Sequence, residues 1–202
     1  MATQIFLVRH GQTEWTLSGQ HTGRTDLPLT KEGEGSVIRL RDQLQGIAFT
    51  HVLTSPLQRA RQTCEQAGFG NIARVEANLR EWDYGDYEGR TSADIRREQP
   101  GWNIFRDGCP HGESVELVTQ RADRLLADLR ELDGVIALFS HAHFLRVLTV
   151  RWIGLPAGVG QHFVLDPGSI GILSFEHANN EVPSISLWNS GPNVLKKAEN
   201  VQ

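Results

Sequence analysis

The chain has 202 residues, of which 39% are hydrophobic and 22% charged, and its formal net charge is −4 at pH 7. This is the composition of a globular protein with one full-sized core, and the lack of a basic surplus argues against a nucleic-acid partner. No apolar run approaches the roughly 18 residues that a bilayer-spanning helix needs, so no membrane partner is expected. Cys64 and Cys109 form no CxxC pair and no secretory signal is visible, which predicts a cytoplasmic protein.

The hydrophobic pattern predicts a series of short strands separated by helices. Apolar runs predict strands over residues 4–8, 51–54, 134–140, 171–175 and 184–188. Strands that alternate with helices favour an α/β fold, a three-layer sandwich whose mostly parallel sheet carries helices on both faces. No repeat or linker is visible, so the chain 1–202 is predicted to be a single domain with a flexible tail at 190–202.

Four segments carry apolar residues at spacings of three and four, which predicts helices. They lie between Thr30 and Gly46, between Ser55 and Gly68, over residues 114–132, and over residues 143–156. Thr30 is a predicted N-cap for the first helix. Ser55 is the predicted N-cap of the second, with Pro56 at the first helical position.

Basic side chains follow three of the predicted strands. Arg9 and His10 come directly after the first strand, and His141 follows the strand that ends in "ALFS". Arg59 lies in the first turns of the helix after the second strand, where free backbone N–H groups favour anions. Because the carboxyl ends of parallel strands meet at one sheet edge, these four side chains should line one pocket. In a chain of negative net charge, such a pocket predicts a site for a small dianion, most simply phosphate.

The segment "LREWDYGDYEG", residues 79–89, offers acidic side chains that could donate a proton. Its candidates are Glu81, Asp83, Asp86 and Glu88. An acidic loop with glycines is most often a polar connection. The predicted cationic pocket favours a catalytic role for one of these carboxyl groups.

These segments together resemble a known family. "RHG" after the first strand, "SPLQRARQT", "LREWDYGDYEG" and "SHAHFLR" resemble the four signature segments of the histidine phosphatase superfamily, which includes the phosphoglycerate mutases. A lone RHG tripeptide is weak evidence, whereas four segments in family order are specific. The resemblance spans roughly residues 5 to 175 and implies a phosphoglycerate mutase-like fold.

Within the superfamily, the chain is similar to the fungal sedoheptulose-1,7-bisphosphatase branch. The similarity lies in "RHGQTEW", "SGQHTGRTDLPLT", "WNIFRDGCPHGE" and "FVLDPGSIGILSFEH". That branch dephosphorylates sugar bisphosphates without a metal, so the resemblance implies a hydrolase of small sugar phosphates or bisphosphates. This chain is shorter than the fungal enzymes and carries His21 where they have tyrosine.

The resemblance also implies a role for each residue of the pocket. His10 attacks phosphorus and becomes a phosphohistidine, while Arg9, Arg59 and His141 stabilise the phosphoryl oxygens. Spacing alone leaves Arg59 and Arg61 equivalent, and the family motif favours Arg59. Glu81 protonates the leaving oxygen and then accepts a proton from water. No cluster of His, Asp and Glu has convincing metal-ligand spacing, so neither a metal nor another cofactor is expected.

The remaining candidates lie on the substrate side of the predicted site. The predicted substrate-binding residues are His21, Thr22, Trp82, Tyr84, His143 and Arg146. Trp82 and Tyr84 could also give Glu81 apolar cover, and Arg146 could meet a second phosphate or remain solvated. Glu88 is predicted to hold the "YEG" turn. The expected partner is a small phosphorylated metabolite, and a homo-oligomer is compatible with the sequence.

Two alternative functions are considered beside the hydrolase. A phosphoglycerate mutase uses the same phosphohistidine, but mutases of the superfamily have asparagine where Thr16 stands and a longer insertion between the segments of Glu81 and His141. A catalytically silent phosphate-binding module is expected to lose His10, Glu81 or His141, and this chain keeps all three. The sequence therefore favours a hydrolase.

Overall fold

The computed structural model describes residues 3–176 and 182–191, in which one six-stranded sheet has the order β3-β2-β4-β1-β5-β6. The strands are β1 Gln4–Arg9, β2 His51–Thr54, β3 Ala73–Val75, β4 Val135–Ser140, β5 Ile170–Phe175 and β6 Pro183–Ser190. The five predicted strands are all present, and β3 is an additional edge strand. The predicted flexible tail lies, from residue 192 onward, outside the described residues.

The sheet is parallel through its first four strands. β2 pairs in parallel with β3 and β4, and β4 pairs in parallel with β1. β5 is antiparallel to both β1 and β6. The prediction of a mostly parallel sheet is therefore confirmed, and the two central strands β1 and β4 end at the same edge.

Helices cover both faces of the sheet, which confirms the three-layer α/β sandwich. They are α1 Glu14–Ser18, α2 Lys31–Leu44, α3 Gln58–Gln66, α4 Ser92–Glu98, α5 Ile104–Asp107, α6 Val115–Arg130 and α7 Ala142–Trp152. Alternate residues of β1 point to opposite faces, as the pleat of a strand requires. Ile5 and Leu7 join a core with α6 and α7, whereas Phe6 and Val8 join a core with α2 and α3. No helix in 3–176 or 182–191 has the length and apolarity to cross a membrane.

One of the two helix caps predicted from the sequence is confirmed, at Thr30. The Thr30 side chain accepts a hydrogen bond from the N–H of Gly33 at 3.0 Å, and α6 is capped in the same way by Ser114. The prediction that Ser55 caps α3 is wrong, because α3 begins at Gln58 after an extended Leu57. The Ser55 hydroxyl lies instead 2.8 Å from a ring nitrogen of His141. The same hydroxyl also accepts from the N–H of Leu57 at 3.3 Å.

Candidate active site

Two histidines lie side by side at the carboxyl edge of the sheet. Arg9 pairs with Ser140 in the β1–β4 register, so the next residues, His10 and His141, follow neighbouring strands. Their ring centroids are 5.1 Å apart, with an angle of 61° between the ring planes. His10 is 4% exposed and His141 is fully buried. The structure thus brings together the two strand-end histidines of the sequence.

The His10 ring presents an unprotonated Nε2, for which no partner is found among the described residues. Its Nδ1 lies 2.7 Å from the carbonyl oxygen of Gly11. Because a carbonyl oxygen only accepts hydrogen bonds, Nδ1 carries the proton and Nε2 is unprotonated. Burial lowers the pKa of His10 well below its ordinary value, and the charges of Arg59 and Arg9 lower it further. The neutral ring is the form that a nucleophile requires.

Arg59 is fully buried and is held on three sides. Its Nε donates to Nδ1 of His141 at 3.1 Å. Its Nη2 donates to the carbonyl oxygens of Thr22 and Gly23, at 2.9 and 3.1 Å, and Nη1 donates to that of Thr25 at 3.0 Å. Burial lowers the pKa of Arg59, whereas the carboxylate of Glu81 acts in the opposite direction.

Arg9 enters the same cluster from the end of β1. Its Nη1 donates to the carbonyl oxygen of Leu165, while its backbone N–H donates to that of Ser169 at 3.1 Å. Its Nε is buried and has no hydrogen-bond partner among the described residues. Burial lowers the pKa of Arg9, and Glu81 again opposes that shift. A buried donor without a partner next to His10 is well suited to an anionic ligand.

The Glu81 carboxyl group is oriented by backbone N–H groups. Oε1 accepts from the N–H of Trp82 and of Phe144, both at 2.9 Å, and Oε2 accepts from the N–H of His143 at 3.2 Å. Two of these donors belong to the start of α7, directly after His141. Glu81 is 8% exposed. The candidate acid is therefore fixed to the helix that follows the second histidine.

A buried arginine that sequence reasoning missed holds the Glu81 segment. Arg121 donates to the backbone carbonyl oxygens of Asn78 and Arg80, both at 2.8 Å, and of Glu81 at 3.3 Å. It also forms a two-point ion pair with Glu113. The signal was present in the pattern of α6, because Arg121 stands on the apolar stripe, between Val118 and Leu125.

Three predicted substrate-side residues form an aromatic cluster. The rings of His21 and Tyr84 are stacked with centroids 4.7 Å apart, and the Tyr84 hydroxyl lies 2.6 Å from Nδ1 of His143. Nε2 of His21 is 3.2 Å from the Ser92 hydroxyl. Burial, with a smaller contribution from Arg96, lowers the pKa of His21 to about 4. The cluster is joined to Glu81 through the N–H of His143.

Two other candidates have different surroundings from those expected. The Trp82 ring is fully buried, lies edge-on to Phe105, and donates its indole N–H to the carbonyl oxygen of Glu113 at 2.9 Å. The ring is part of the hydrophobic core, and its contact with substrate stays a prediction. Thr22 is buried, and its hydroxyl donates to the carbonyl oxygen of Gln20 at 3.3 Å. Thr22 contacts the catalytic cluster through its backbone, because its carbonyl oxygen accepts a hydrogen bond from Arg59.

A small polar pocket adjoins the aromatic cluster. Its volume is about 190 Å³, and its described lining is Ser92, Arg96, Trp102, Asn103, Ile104, Phe105, His143, Arg146 and Gln161. Arg146 is anchored over the Phe105 ring and donates from Nε to the carbonyl oxygen of Gly160. This lining includes two arginines and no acidic residue. Sequence reasoning found Arg146 and missed Arg96, which lies on α4, a helix that it did not predict.

Metal-ligating side chains are not grouped in the described part of the chain. In residues 3–176 and 182–191, no three His, Cys, Asp or Glu side chains lie close enough together to hold one metal ion. The positive charges beside His10 come instead from Arg9 and Arg59.

Comparison with known proteins agrees with this arrangement. The family model of the histidine phosphatase superfamily (branch 1) matches residues 5–190. An acid phosphatase of Mycobacterium tuberculosis is 39% identical over 189 residues, which cover 91% of this chain and 92% of the relative. Sedoheptulose 1,7-bisphosphatase of Saccharomyces cerevisiae is 34% identical, with 100% of this chain and 97% of the relative covered.

Two further relatives show the range of the similarity. A Klebsiella pneumoniae protein named "Probable phosphoglycerate mutase GpmB" is 32% identical over 87% of this chain and 86% of its own length. A solved structure of a Mycobacterium tuberculosis open reading frame product superposes with a TM-score of 0.88 at 36% identity, covering 94% of this chain and 98% of the other. The chain belongs to the histidine phosphatase superfamily. Within that superfamily it is a phosphatase.

Proposed function

We propose that this enzyme hydrolyses phosphomonoesters through a phosphohistidine at His10, without a metal ion. The observation that carries the proposal is the His10 ring itself. Its Nδ1 proton is held by the Gly11 carbonyl oxygen, which leaves the lone pair on Nε2, beside Arg9 and Arg59. A neutral imidazole next to the guanidinium groups of Arg9 and Arg59 is arranged for attack on a phosphoryl group.

In the first step, Nε2 of His10 forms a bond to phosphorus while the bond from phosphorus to the ester oxygen breaks. Glu81, in its carboxylic acid form, gives its proton to the departing oxygen. Arg9, Arg59 and His141 stabilise the charge on the three remaining oxygens, which is the contribution that a divalent cation makes in other phosphoryl-transfer enzymes.

In the second step, water replaces the histidine. Glu81, now a carboxylate, accepts a proton from water as the water oxygen bonds to phosphorus. The bond from phosphorus to Nε2 breaks, which returns His10 to its neutral form and releases inorganic phosphate. The backbone N–H groups that hold the Glu81 carboxyl group keep it near the same atoms in both steps.

The geometry of Thr16 supports hydrolase over mutase. The Thr16 hydroxyl donates to the carbonyl oxygen of Thr13 at 2.8 Å and accepts from the N–H of Thr13 at 2.9 Å. This side chain is engaged in the cap of α1, whereas mutases of the superfamily are expected to use an asparagine at this position. The intact set of His10, Glu81 and His141 argues against a silent phosphate-binding module.

The pocket beside His143 supports a sugar bisphosphate as substrate. Arg96 and Arg146 line it without an acidic neighbour in the described lining, so it would attract a second phosphate. Among the relatives, one is named for sedoheptulose 1,7-bisphosphate. We retain from the sequence the expectations of a single domain, a cytoplasmic location, a small-metabolite partner, and no nucleic acid or cofactor.

The experiment is a substrate panel with EDTA present. p-Nitrophenyl phosphate, sedoheptulose 1,7-bisphosphate, sugar monophosphates and 3-phosphoglycerate are ranked by kcat/KM. We expect phosphate release with EDTA, the highest kcat/KM for a bisphosphate, and no isomerisation of 3-phosphoglycerate. Activity that EDTA removes and Mg²⁺ or Zn²⁺ restores would contradict the metal-free mechanism.

Variants of the polar pocket test the substrate class separately. Arg146→Gln and Arg96→Gln should raise KM for the bisphosphate by about tenfold, as expected for one lost charge-assisted contact, and raise KM for a monophosphate much less. Arg124, an exposed arginine of α6, provides the matched control as Arg124→Gln. Equal changes in KM for both substrates would assign the pocket a structural role.

A further inference from the structure

The loop of residues 22–25 lies between the carboxylate of Glu88 and the buried guanidinium group of Arg59. On one side, Oε1 of Glu88 accepts from the backbone N–H of Gly23 at 2.9 Å and of Thr25 at 3.0 Å. On the other side, the carbonyl oxygens of Thr22, Gly23 and Thr25 accept from Arg59. The carboxylate and the guanidinium are thus connected through the peptide groups of this loop.

The loop determines which donor of Arg59 is available to a ligand. A guanidinium group has five N–H donors. Among the described residues, Nε is engaged by His141, both protons of Nη2 by Thr22 and Gly23, and one proton of Nη1 by Thr25. One Nη1 proton remains. Its direction is fixed by the position of the loop carbonyl oxygens.

The packing on the Glu88 side is close enough to fix the loop. A Cβ at Gly23 would lie 2.7 Å from Oε2 of Glu88 and 2.7 Å from the carbonyl oxygen of Trp82. Only glycine fits between these oxygens. Oε2 of Glu88 is buried, and none of the described residues is its hydrogen-bond partner. The charge of Glu88 also favours the charged form of Arg59.

We propose that Glu88 is a positioning residue for phosphoryl transfer, because it holds the 22–25 loop where that loop aims the remaining Nη1 donor of Arg59 at the phosphoryl group. The inference rests on the proposed function, since it requires Arg59 to bind the transferred group. Glu88 itself touches neither substrate nor His10. Its effect passes through the two N–H groups of the loop and then through the loop carbonyl oxygens.

Two substitutions of Glu88 distinguish the effect of its side-chain length from the effect of its charge. Glu88→Asp keeps the charge but withdraws the carboxylate by about one carbon–carbon bond, or ~1.5 Å, so that it no longer reaches both N–H groups. Glu88→Gln keeps the reach, and its amide oxygen can accept from both N–H groups. Gly23→Ala displaces the same loop without altering either charge. Glu98 is exposed and paired with Arg90, and Glu98→Asp is the control.

The readouts are kcat/KM for p-nitrophenyl phosphate, the dissociation constant of orthovanadate by calorimetry, and Tm. Vanadate resembles the phosphoryl-transfer transition state, so its affinity depends on how well the donors to the phosphoryl oxygens are oriented. In Glu88→Asp and Gly23→Ala we expect kcat/KM to fall, and vanadate affinity to weaken, by at least about tenfold per folded molecule. Glu88→Gln and Glu98→Asp should stay within about threefold of the wild type.

The outcomes are distinct. Folded Glu88→Asp and Gly23→Ala proteins with wild-type kcat/KM and vanadate affinity would overturn the positioning role. A loss in Glu88→Gln as large as in Glu88→Asp would also overturn it, because charge rather than reach would then be decisive. A wild-type enzyme that neither hydrolyses p-nitrophenyl phosphate nor binds vanadate would instead reject the proposed function.

Discussion

The Nε group of Arg59 donates a hydrogen bond to Nδ1 of His141 at 3.1 Å, and this contact sets the protonation of the histidine. Because guanidinium only donates, Nδ1 must carry a lone pair and the ring proton must lie on Nε2. The Nε2 proton points to the Ser55 hydroxyl at 2.8 Å. Burial lowers the pKa of His141 well below its ordinary value, and the charge of Arg59 makes the next largest contribution in the same direction. His141 is therefore neutral, and its single N–H donor can stabilise a phosphoryl oxygen only by turning to it from the Ser55 hydroxyl. The positive charge at the site comes from arginine.

Removal of the nucleophile should abolish the phosphoenzyme. In His10→Ala we expect neither turnover nor acid-labile labelling from radiolabelled substrate, because the lone pair of the neighbouring imidazole, at Nδ1 of His141, is engaged by Arg59. His141→Ala should still be labelled, but about 10²–10³ times more slowly, as for the loss of one oxyanion donor. Rapid-quench measurement of labelling checks both. Substantial labelling of folded His10→Ala would remove His10 from the nucleophilic role.

The effect of Glu81→Gln should depend on the leaving group. General acid catalysis matters most when the departing oxygen is basic. We therefore expect the phosphorylation step to slow by about 10²–10⁴ for a sugar phosphate and much less for p-nitrophenyl phosphate. Phosphorylation of His10 must be timed separately from its hydrolysis, since Glu81 is also expected to activate water.

The control for this experiment is Glu98→Gln, at an exposed carboxylate paired with Arg90. It should leave both rates unchanged. Equal slowing of phosphorylation for the two substrates in Glu81→Gln would show that Glu81 is not the proton donor.

His21 should make the protein less stable in acid. Its pKa is about 4 in the folded chain and 6.5 in the unfolded chain. Between pH 4 and pH 6.5 the His21 ring binds a proton in the unfolded chain but not in the folded chain. The free energy of unfolding therefore has its full value above pH 6.5 and falls as the pH decreases toward 4. His21→Phe keeps a ring against Tyr84 and should lose about 2 kcal/mol less between pH 7 and pH 4.5. Urea unfolding at both pH values measures this; identical losses would contradict it.

Arg121 should support both folding and acid catalysis. Arg121→Met leaves Glu113 without its cation and three backbone carbonyl oxygens without a donor, which should cost about 3 kcal/mol in the free energy of unfolding. Arg124→Met, at an exposed position of the same helix, should cost little. Urea unfolding compares the two. Similar stability of the two variants would show that the ion pair does not stabilise the Glu81 segment.

The sequence predicted those parts of the site that regular structure determines. His10 and His141 follow parallel strands, and the geometry of a parallel sheet brings such residues to one edge. The apolar stripes of α2 and α6 were predicted for the same reason, because helical periodicity is written in the sequence. The pairing of His10 with His141 required no knowledge of loops.

The rest of the site depends on loops, and the conformation of a loop cannot be predicted from hydrophobic periodicity. The hydroxyl of Ser55 looks the same in sequence whether it caps α3 or meets His141, and only the folded chain separates the two. Likewise, the orientation of Glu81 depends on N–H groups from the distant start of α7. Glu88 acts through the backbone of residues 22–25, which carries no side-chain signal at all.

β1 is a central strand with hydrogen-bonded neighbours on both sides, β4 and β5. His10 extends this arrangement, since its N–H donates to Ser140 and its carbonyl oxygen accepts from Gly168. Its amide should therefore exchange with deuterium only on global unfolding. On warming, the ability to form the phosphoenzyme should disappear together with the sheet itself, and not through local opening at the strand end.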